Sequence, residues 1–146
     1  MSIFAEFRVE VGTPVFLGND GFGEARIVPI LGGTVTGPTL SGIILPGGSD
    51  EQRVRADGLT RIHARYVIRE TGGALVRVDS QGLRHGPPEV LAAILRGEPV
   101  DYSLIYFRTV IRFETADHRL DDLNRTLFLA LGKRLKDQVQ LTLEPL

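Results

Sequence analysis

The chain has 146 residues, 42% of them hydrophobic, and its 17 basic and 18 acidic side chains leave a formal net charge of −1. This length suits one domain over residues 1–146, with a core that needs no disulfide, and the absence of cysteine excludes disulfides and thiolate chemistry. The nearly balanced charge supplies no field for a polyanion or an anionic membrane surface, so neither nucleic acid nor a membrane is an expected partner.

The N-terminal segment predicts a strand and no targeting sequence. Alternate residues from 3 to 11 are apolar, which is the period of a strand with one buried face. Glu6 and Arg8 interrupt this segment too early for the apolar part of a secretory signal. No stretch approaches the ~20 apolar residues of a membrane-spanning helix. We therefore expect a cytoplasmic protein.

Residues 21–58 are rich in glycine and contain three prolines, which favours paired strands with sharp corners over a helix. A short strand is expected to begin within residues 12–16. Two more are predicted at residues 25–31 and 39–45. Pro29 has no N–H for a central ladder, so it indicates an edge or bulged position.

Residues 60–70 alternate in polarity and are followed by Gly72 and Gly73, which predicts a hairpin with residues 75–79. Pro87 and Pro88 then open an apolar pattern of helical period that Gly97 closes. This pattern predicts one helix of about three turns.

The last third of the chain returns to strands. Alternation at residues 104–114 is followed by a turn with a short helical piece at 116–124, and strands are expected at 126–131 and 139–143. Residues 127–131 are apolar on both faces, which is typical of a strand covered on both sides.

Eight to ten short strands with one helix favour an all-β fold, namely a closed or nearly closed antiparallel β-barrel, over any βαβ design. A barrel of about eight strands has an interior just wide enough for packed side chains or one small ligand. We therefore expect an internal pocket.

The standard catalytic motifs are missing from the sequence: it contains no nucleophile elbow, phosphate-binding loop, paired-histidine zinc helix or dinucleotide fingerprint. His63, His85 and His118 lie far apart, and no adjacent carboxylate completes a ligand spacing. We expect neither a metal nor a cofactor.

One face of the strand at residues 104–114 is polar, because it carries Tyr106, Arg108, Arg112 and Glu114. Two interpretations remain open. The face is solvated and holds a surface ion pair of little energetic value, or it lines the cavity, where Arg108 binds a carboxylate or enolate and Glu114 holds the guanidinium. Side chains that point to bulk water would exclude the second.

Asp50 follows a Pro-Gly-Gly-Ser turn and also has two interpretations. It caps its own backbone, or it acts as a general base at the barrel mouth with a pKa raised by apolar neighbours. The functional hypothesis makes Asp50, Arg108 and Glu114 catalytic. It assigns substrate binding to four further residues: Arg26, His63, Tyr66 and Tyr106. For His63 an outward, structural position is the alternative.

Several motifs in order carry a resemblance over the whole chain, including GEARIVPI at 23–30, LPGGSD at 45–50, YFRT at 106–109 and FET at 113–115. The chain resembles domain-of-unknown-function family 3237, also catalogued as uncharacterised-protein family 0311. The resemblance implies an antiparallel β-barrel, usually a dimer, and no specific function. Glu51 stands where an aromatic residue is usual, and Leu120 where tyrosine is common.

Two functions remain in view. The first is a small cofactor-free enzyme of the lyase or isomerase type, which binds an organic acid or carbonyl compound and catalyses isomerisation, hydration, elimination or cyclisation. The second is a carrier or sensor of a hydrophobic small molecule. Both expect a small-molecule ligand and a homodimer. A filled interior would exclude both and leave a third alternative, a filled barrel that acts only through its dimer surface.

Overall fold

Ten antiparallel strands form one sheet in the computed structural model, which describes residues 3–146. In chain order the strands are β1 Ala5–Val11, β2 Val15–Asn19, β3 Glu24–Thr36, β4 Gly42–Ile44, β5 Gly48–Val54, β6 Thr60–Glu70, β7 Leu75–His85, β8 Tyr106–Thr115, β9 Leu127–Arg134 and β10 Gln138–Pro145. Helix α1, Pro88–Leu95, connects β7 to β8, and a 3-10 segment at His118–Arg125 connects β8 to β9.

The sheet closes into a barrel because β3 pairs with strands at both ends of the strand order. Its second half pairs with β1, and its first half pairs with β5, which pairs in turn with β6. The ring continues through β7, β8, β9 and β10 back to β1. This closure confirms the predicted antiparallel barrel, which has eight strands in the ring and two additional ones.

A glycine corner lets β3 serve both partners. The strand runs through Gly32 and Gly33 to Thr36, beyond the predicted end at residue 31. Gly33 has φ +143°, and a Cβ there would lie 2.0 Å from the carbonyl oxygen of Arg8. Only glycine allows this close approach of β1 to β3.

Pro29 occupies the gap between two partners of β3, as its missing N–H indicated. On that edge β2 pairs through Ile27, whereas β1 pairs from Ile30 onward with a register shift. The proline therefore interrupts no continuous ladder on that side, although β3 is not the predicted edge strand, because Pro29 pairs with Ser49 of β5 on its other side.

The barrel interior is solid at one end and hollow at the other. Phe7, Phe113 and Phe128 fill the solid end, with ring centroids 5.3 Å apart for the last pair. Leu120 and Leu123 of the 3-10 segment close that end with buried side chains. The hollow end lies under α1, so the filled-barrel alternative is excluded.

Strand β9 corrects one expectation. Leu127 and Leu131 are 49% and 37% exposed in the single chain, so the strand is not covered on both sides within one barrel. The homodimer stays a prediction.

No helix within residues 3–146 is both long enough and apolar enough to cross a bilayer.

Candidate functional site

A cavity of about 690 Å³ occupies the hollow end of the barrel. Its wall is mainly apolar and includes Val28, Ile62, Phe107 and Leu141. A volume and wall of this kind are usual for a small-molecule site. The inward positions of the surrounding strands therefore decide what the cavity recognises.

Helix α1 covers one side of the cavity through Leu91 and Ile94. It begins at Pro88, where proline costs no intrahelical hydrogen bond. It ends before Gly97, whose φ of +76° takes the chain out of the helix. The helix predicted from the two prolines and the glycine is confirmed.

A hydrogen-bonded chain of polar side chains crosses from β3 to β5 inside the cavity. Arg26 Nε donates to Gln52 Oε1 at 2.7 Å, and Gln52 Nε2 donates to Asp50 Oδ2 at 2.7 Å. The backbone N–H of His63 donates to the other carboxylate oxygen, Oδ1, at 3.1 Å. Because a guanidinium only donates, these bonds fix the orientation of the amide. Asp50 is thus held in place from two sides.

The carboxyl group of Asp50 lines the cavity and is largely enclosed by protein atoms. Burial raises its pKa above the ordinary aspartate value, against the opposing effects of the Gln52 hydrogen bond and the charge of Arg84. A carboxyl group that is held in position and has a raised pKa is suited to accept and return a proton.

Tyr66 lines the same cavity and has a buried hydroxyl group. The residue is 4% exposed, and its hydroxyl has no hydrogen-bond partner within residues 3–146. Burial, and then the negative charge of Asp50, raise the pKa of Tyr66, so the hydroxyl stays protonated. A neutral donor near a carboxylate can hydrogen-bond a carbonyl oxygen and stabilise the charge that develops there.

Two further guanidinium groups enter the cavity from β7 and β9. Arg84 is 8% exposed, and its guanidinium lies over the ring of Phe107 at 5.4 Å from the centroid. Burial, and then the positive charge of Arg134, lower the pKa of Arg84 to about 10. Arg134 also lines the cavity, and its Nη1 is buried without a partner among the described residues.

Gly132 makes room for this arrangement. A Cβ at position 132 would lie 2.6 Å from the ring of Phe107, and the ring in turn supports Arg84. Gly132→Ala is expected to lower the free energy of unfolding by about 1–3 kcal/mol, the usual cost of overpacking. Urea unfolding of both proteins measures the difference.

The same substitution made together with Phe107→Ala gives a control, because alanine lacks the Cγ and Cδ atoms that the added methyl group would meet. We expect the alanine at position 132 to cost less in the Phe107→Ala protein than in the parent. Equal costs in both backgrounds would contradict the proposed contact.

Of the residues proposed from the sequence, Arg26, Asp50 and Tyr66 meet in the cavity. The assignment of Arg108 and Glu114 to its lining is wrong. Glu114 is exposed. Arg108 lies on the outer face, where its guanidinium donates to the backbone carbonyl oxygen of Phe107. The reason is strand alternation: Phe107 and Thr109 point inward, so the residues between them point out.

Tyr106 and His63 are also outside the cavity. The guanidinium of Arg108 lies 5.3 Å from the Tyr106 ring centroid on the outer face. His63 Nε2 lies 3.2 Å from Asp79 Oδ2, so the alternative of an outward, structural histidine is the observed one. His63 still contributes its backbone N–H to Asp50.

Sequence reasoning missed Gln52, Arg84 and Arg134. A signal existed for Arg84 and Arg134, because each lies four positions after an inward residue of its strand, Ser80 and Ala130 respectively. No such signal existed for Gln52, because no apolar alternation marks β5. No group of three or more His, Asp or Glu side chains within residues 3–146 is arranged to hold a metal ion.

The chain matches relatives along most of its length. It is 44% identical over 129 residues to a UPF0311 protein of Bradyrhizobium diazoefficiens, a match that covers 88% of this chain and 84% of the relative. A UPF0311 protein of Clostridium acetobutylicum is 37% identical over 134 residues, which cover 91% of this chain and 85% of the relative.

Solved structures share the fold. A conserved protein of unknown function from Rhodopseudomonas palustris superposes with a TM-score of 0.91 at 38% identity, covering 99% of this chain and 94% of that one. A structure described as an enzyme from Penicillium herquei has a TM-score of 0.71 at 17% identity, covering 98% of this chain and 92% of that one, and shows a likeness of fold alone.

The family model described as "Protein of unknown function (DUF3237)" matches residues 1–144. Both the match over nearly the whole chain and the relatives above 30% identity point to the same group. The chain therefore belongs to the DUF3237 family.

Proposed function

We propose that the cavity binds a small organic acid or carbonyl compound and that Asp50 transfers a proton within it. The reaction class is isomerisation, hydration, elimination or cyclisation, with no cofactor. The observation that carries this proposal is the position of Asp50: a carboxyl group held by two donors and open to a cavity that Tyr66 also lines.

The proposed step needs only groups that line the cavity. Ionised Asp50 takes a proton from the carbon next to a carbonyl group, and the carbonyl oxygen gains negative charge. Tyr66 donates a hydrogen bond to that oxygen, and the guanidinium group of Arg26 offsets the charge. Protonated Asp50 then returns the proton to the same substrate at another atom, or to its leaving group, so the enzyme is regenerated.

The fold is compatible with catalysis, because a protein from Penicillium herquei with a similar fold is described as an enzyme. Shape alone assigns no reaction, since one fold can support unrelated activities. The support for proton transfer therefore comes from Asp50 and Tyr66 and not from the likeness.

A carrier or sensor of a hydrophobic molecule is the second candidate, and the apolar wall favours it. The two candidates predict different fates for a bound compound. A thermal-shift screen of small carboxylates and of phenolic or alicyclic ketones identifies compounds that bind the folded state. Each hit is then incubated with the protein and analysed by NMR. Conversion supports the enzyme, whereas hits that all remain unchanged contradict it.

The pH profile tests the role of Asp50. For a converted compound, kcat/KM is expected to rise with pH through the titration of Asp50, because only the ionised carboxylate accepts a proton. Since burial raises the pKa of Asp50, the rise is expected above the ordinary aspartate value of about 3.9.

Gln52→Leu provides the matched variant for this profile. The Gln52 hydrogen bond favours ionised Asp50, so its removal is expected to move the rise to higher pH. A rise centred near the ordinary aspartate value, or a profile that Gln52→Leu leaves unmoved, would contradict the assignment of Asp50 as the base.

A further inference from the structure

We propose that Arg84 and Arg134 form an anion subsite, and that the ligand of the cavity is a carboxylate on an aromatic or alicyclic body. This inference rests on the proposed function for the location of the ligand, but it does not require that the ligand is converted. It names a recognition group separate from the proton-transfer pair, Asp50 and Tyr66.

The first argument is the charge inside the cavity. Arg26, Arg84 and Arg134 all line it, whereas Asp50 is the one carboxylate enclosed with them among the described residues. At the rim, the charges of Lys136 and Asp137 offset each other. The interior therefore carries an excess of positive charge even when Asp50 is ionised.

The second argument is the lack of partners. Within residues 3–146 neither Arg84 nor Arg134 forms an ion pair with a carboxylate. Removing a guanidinium from water is costly, and burial lowers the pKa of both groups against the smaller opposing effects of the charges of Asp50 and, for Arg134, Asp137. An anion in the cavity would offset this cost, so the free protein favours its binding.

The third argument is a guanidinium nitrogen without an acceptor. Nη1 of Arg134 is buried and donates to no acceptor within residues 3–146. Arg84 lines the same cavity, with its guanidinium carbon 5.4 Å from the centroid of the Phe107 ring. A planar carboxylate accepts two parallel N–H bonds from a guanidinium.

The remainder of the wall indicates the body of the ligand. Val28, Ile62, Leu141 and the ring of Phe107 give the cavity apolar surfaces. An aromatic or alicyclic body would fill this volume through apolar burial and ring contacts. A highly charged ligand such as a nucleotide would leave these surfaces unmatched.

The test compares a charged probe with its neutral twin. Binding of 2-naphthoate and 2-naphthamide is followed by probe fluorescence, which is clean because the chain contains no tryptophan. We expect naphthoate to bind the parent protein at least about ten-fold more tightly than the amide, since hydrogen bonds to charged groups are the stronger ones.

Variants locate the subsite. Arg84→Gln and Arg134→Gln are each expected to weaken naphthoate binding about ten-fold or more while leaving naphthamide binding unchanged. Arg108→Gln, which changes a guanidinium on the outer face, is the matched control and is expected to leave both affinities unchanged. If Arg84→Gln does not fold, Arg84→Lys decides in its place: it keeps the charge but loses the two parallel N–H bonds, so it should weaken naphthoate binding and leave naphthamide binding unchanged.

Three results would overturn the inference. They are equal affinity of the parent for naphthoate and naphthamide, naphthoate binding that survives both glutamine variants, and no binding by naphthoate, 4-hydroxybenzoate or cyclohexanecarboxylate.

Asp50→Asn separates the two proposals, because it should remove turnover and leave the preference for the anion. Anion binding without turnover of any ligand would end the proton-transfer proposal alone.

Discussion

Asp50→Asn is expected to lower the turnover of an identified substrate by about 10²–10⁴-fold, the contribution usual for a positioned general base. Asparagine has nearly the same shape as aspartate but cannot accept a proton at working pH. Steady-state kinetics measure the loss, and circular dichroism checks that the barrel remains folded. Unchanged kcat would exclude Asp50 as the base.

The substitution also disturbs a hydrogen bond, and a second variant separates that effect from the chemistry. Both carboxylate oxygens of Asp50 accept hydrogen bonds, one from Gln52 Nε2 and one from the backbone N–H of His63. In Asp50→Asn an NH₂ group replaces one of these oxygens, so its N–H would face another donor and one hydrogen bond would be lost. Adding Gln52→Glu restores an acceptor for that amide and for Arg26 Nε. The double variant should regain stability without regaining turnover. Recovery of both would make Asp50 structural.

Tyr66→Phe is expected to change stability and turnover in opposite directions. Loss of a buried hydroxyl that has no partner among the described residues should raise the free energy of unfolding by about 1–3 kcal/mol. Loss of a hydrogen bond to the developing oxyanion should lower kcat by about 10²–10³-fold. Thermal unfolding and kinetics on one sample measure both effects.

Tyr106→Phe is the control for this prediction, because Tyr106 lies on the outer face of the barrel and is exposed. It should alter neither quantity. A less stable Tyr66→Phe protein would show that the hydroxyl has a structural partner, and unchanged kcat would exclude it as the donor.

The barrel could be predicted from the sequence because most of its strands bury one apolar face. Strand β6 is the clearest case, since its predicted bounds equal the observed Thr60–Glu70. Strand β5 escaped prediction for the opposite reason: its inward residues include Asp50 and Gln52, so no apolar alternation marks it. A strand that lines a polar part of a cavity lacks the signal by which strands are recognised.

The candidate site was predicted only in part, because period two separates the faces of a strand without saying which face points inward. On β8 the polar face carrying Arg108 was assigned to the cavity, whereas Phe107 and Thr109 line it. Arg84 and Arg134 each end an inward row of uncharged residues. A single charged residue at the end of a row of uncharged inward residues is the sequence pattern that would have identified both arginines.

The division of the interior has a consequence for how such barrels diverge. The end filled by Phe7, Phe113 and Phe128 is packed and closed, so it can hold the ring together whatever the opposite end contains. Replacing a residue around the hollow end, such as Arg134, leaves that packing intact. Specificity for new compounds is accessible to evolution and to engineers by altering one end of a scaffold whose other end stays constant.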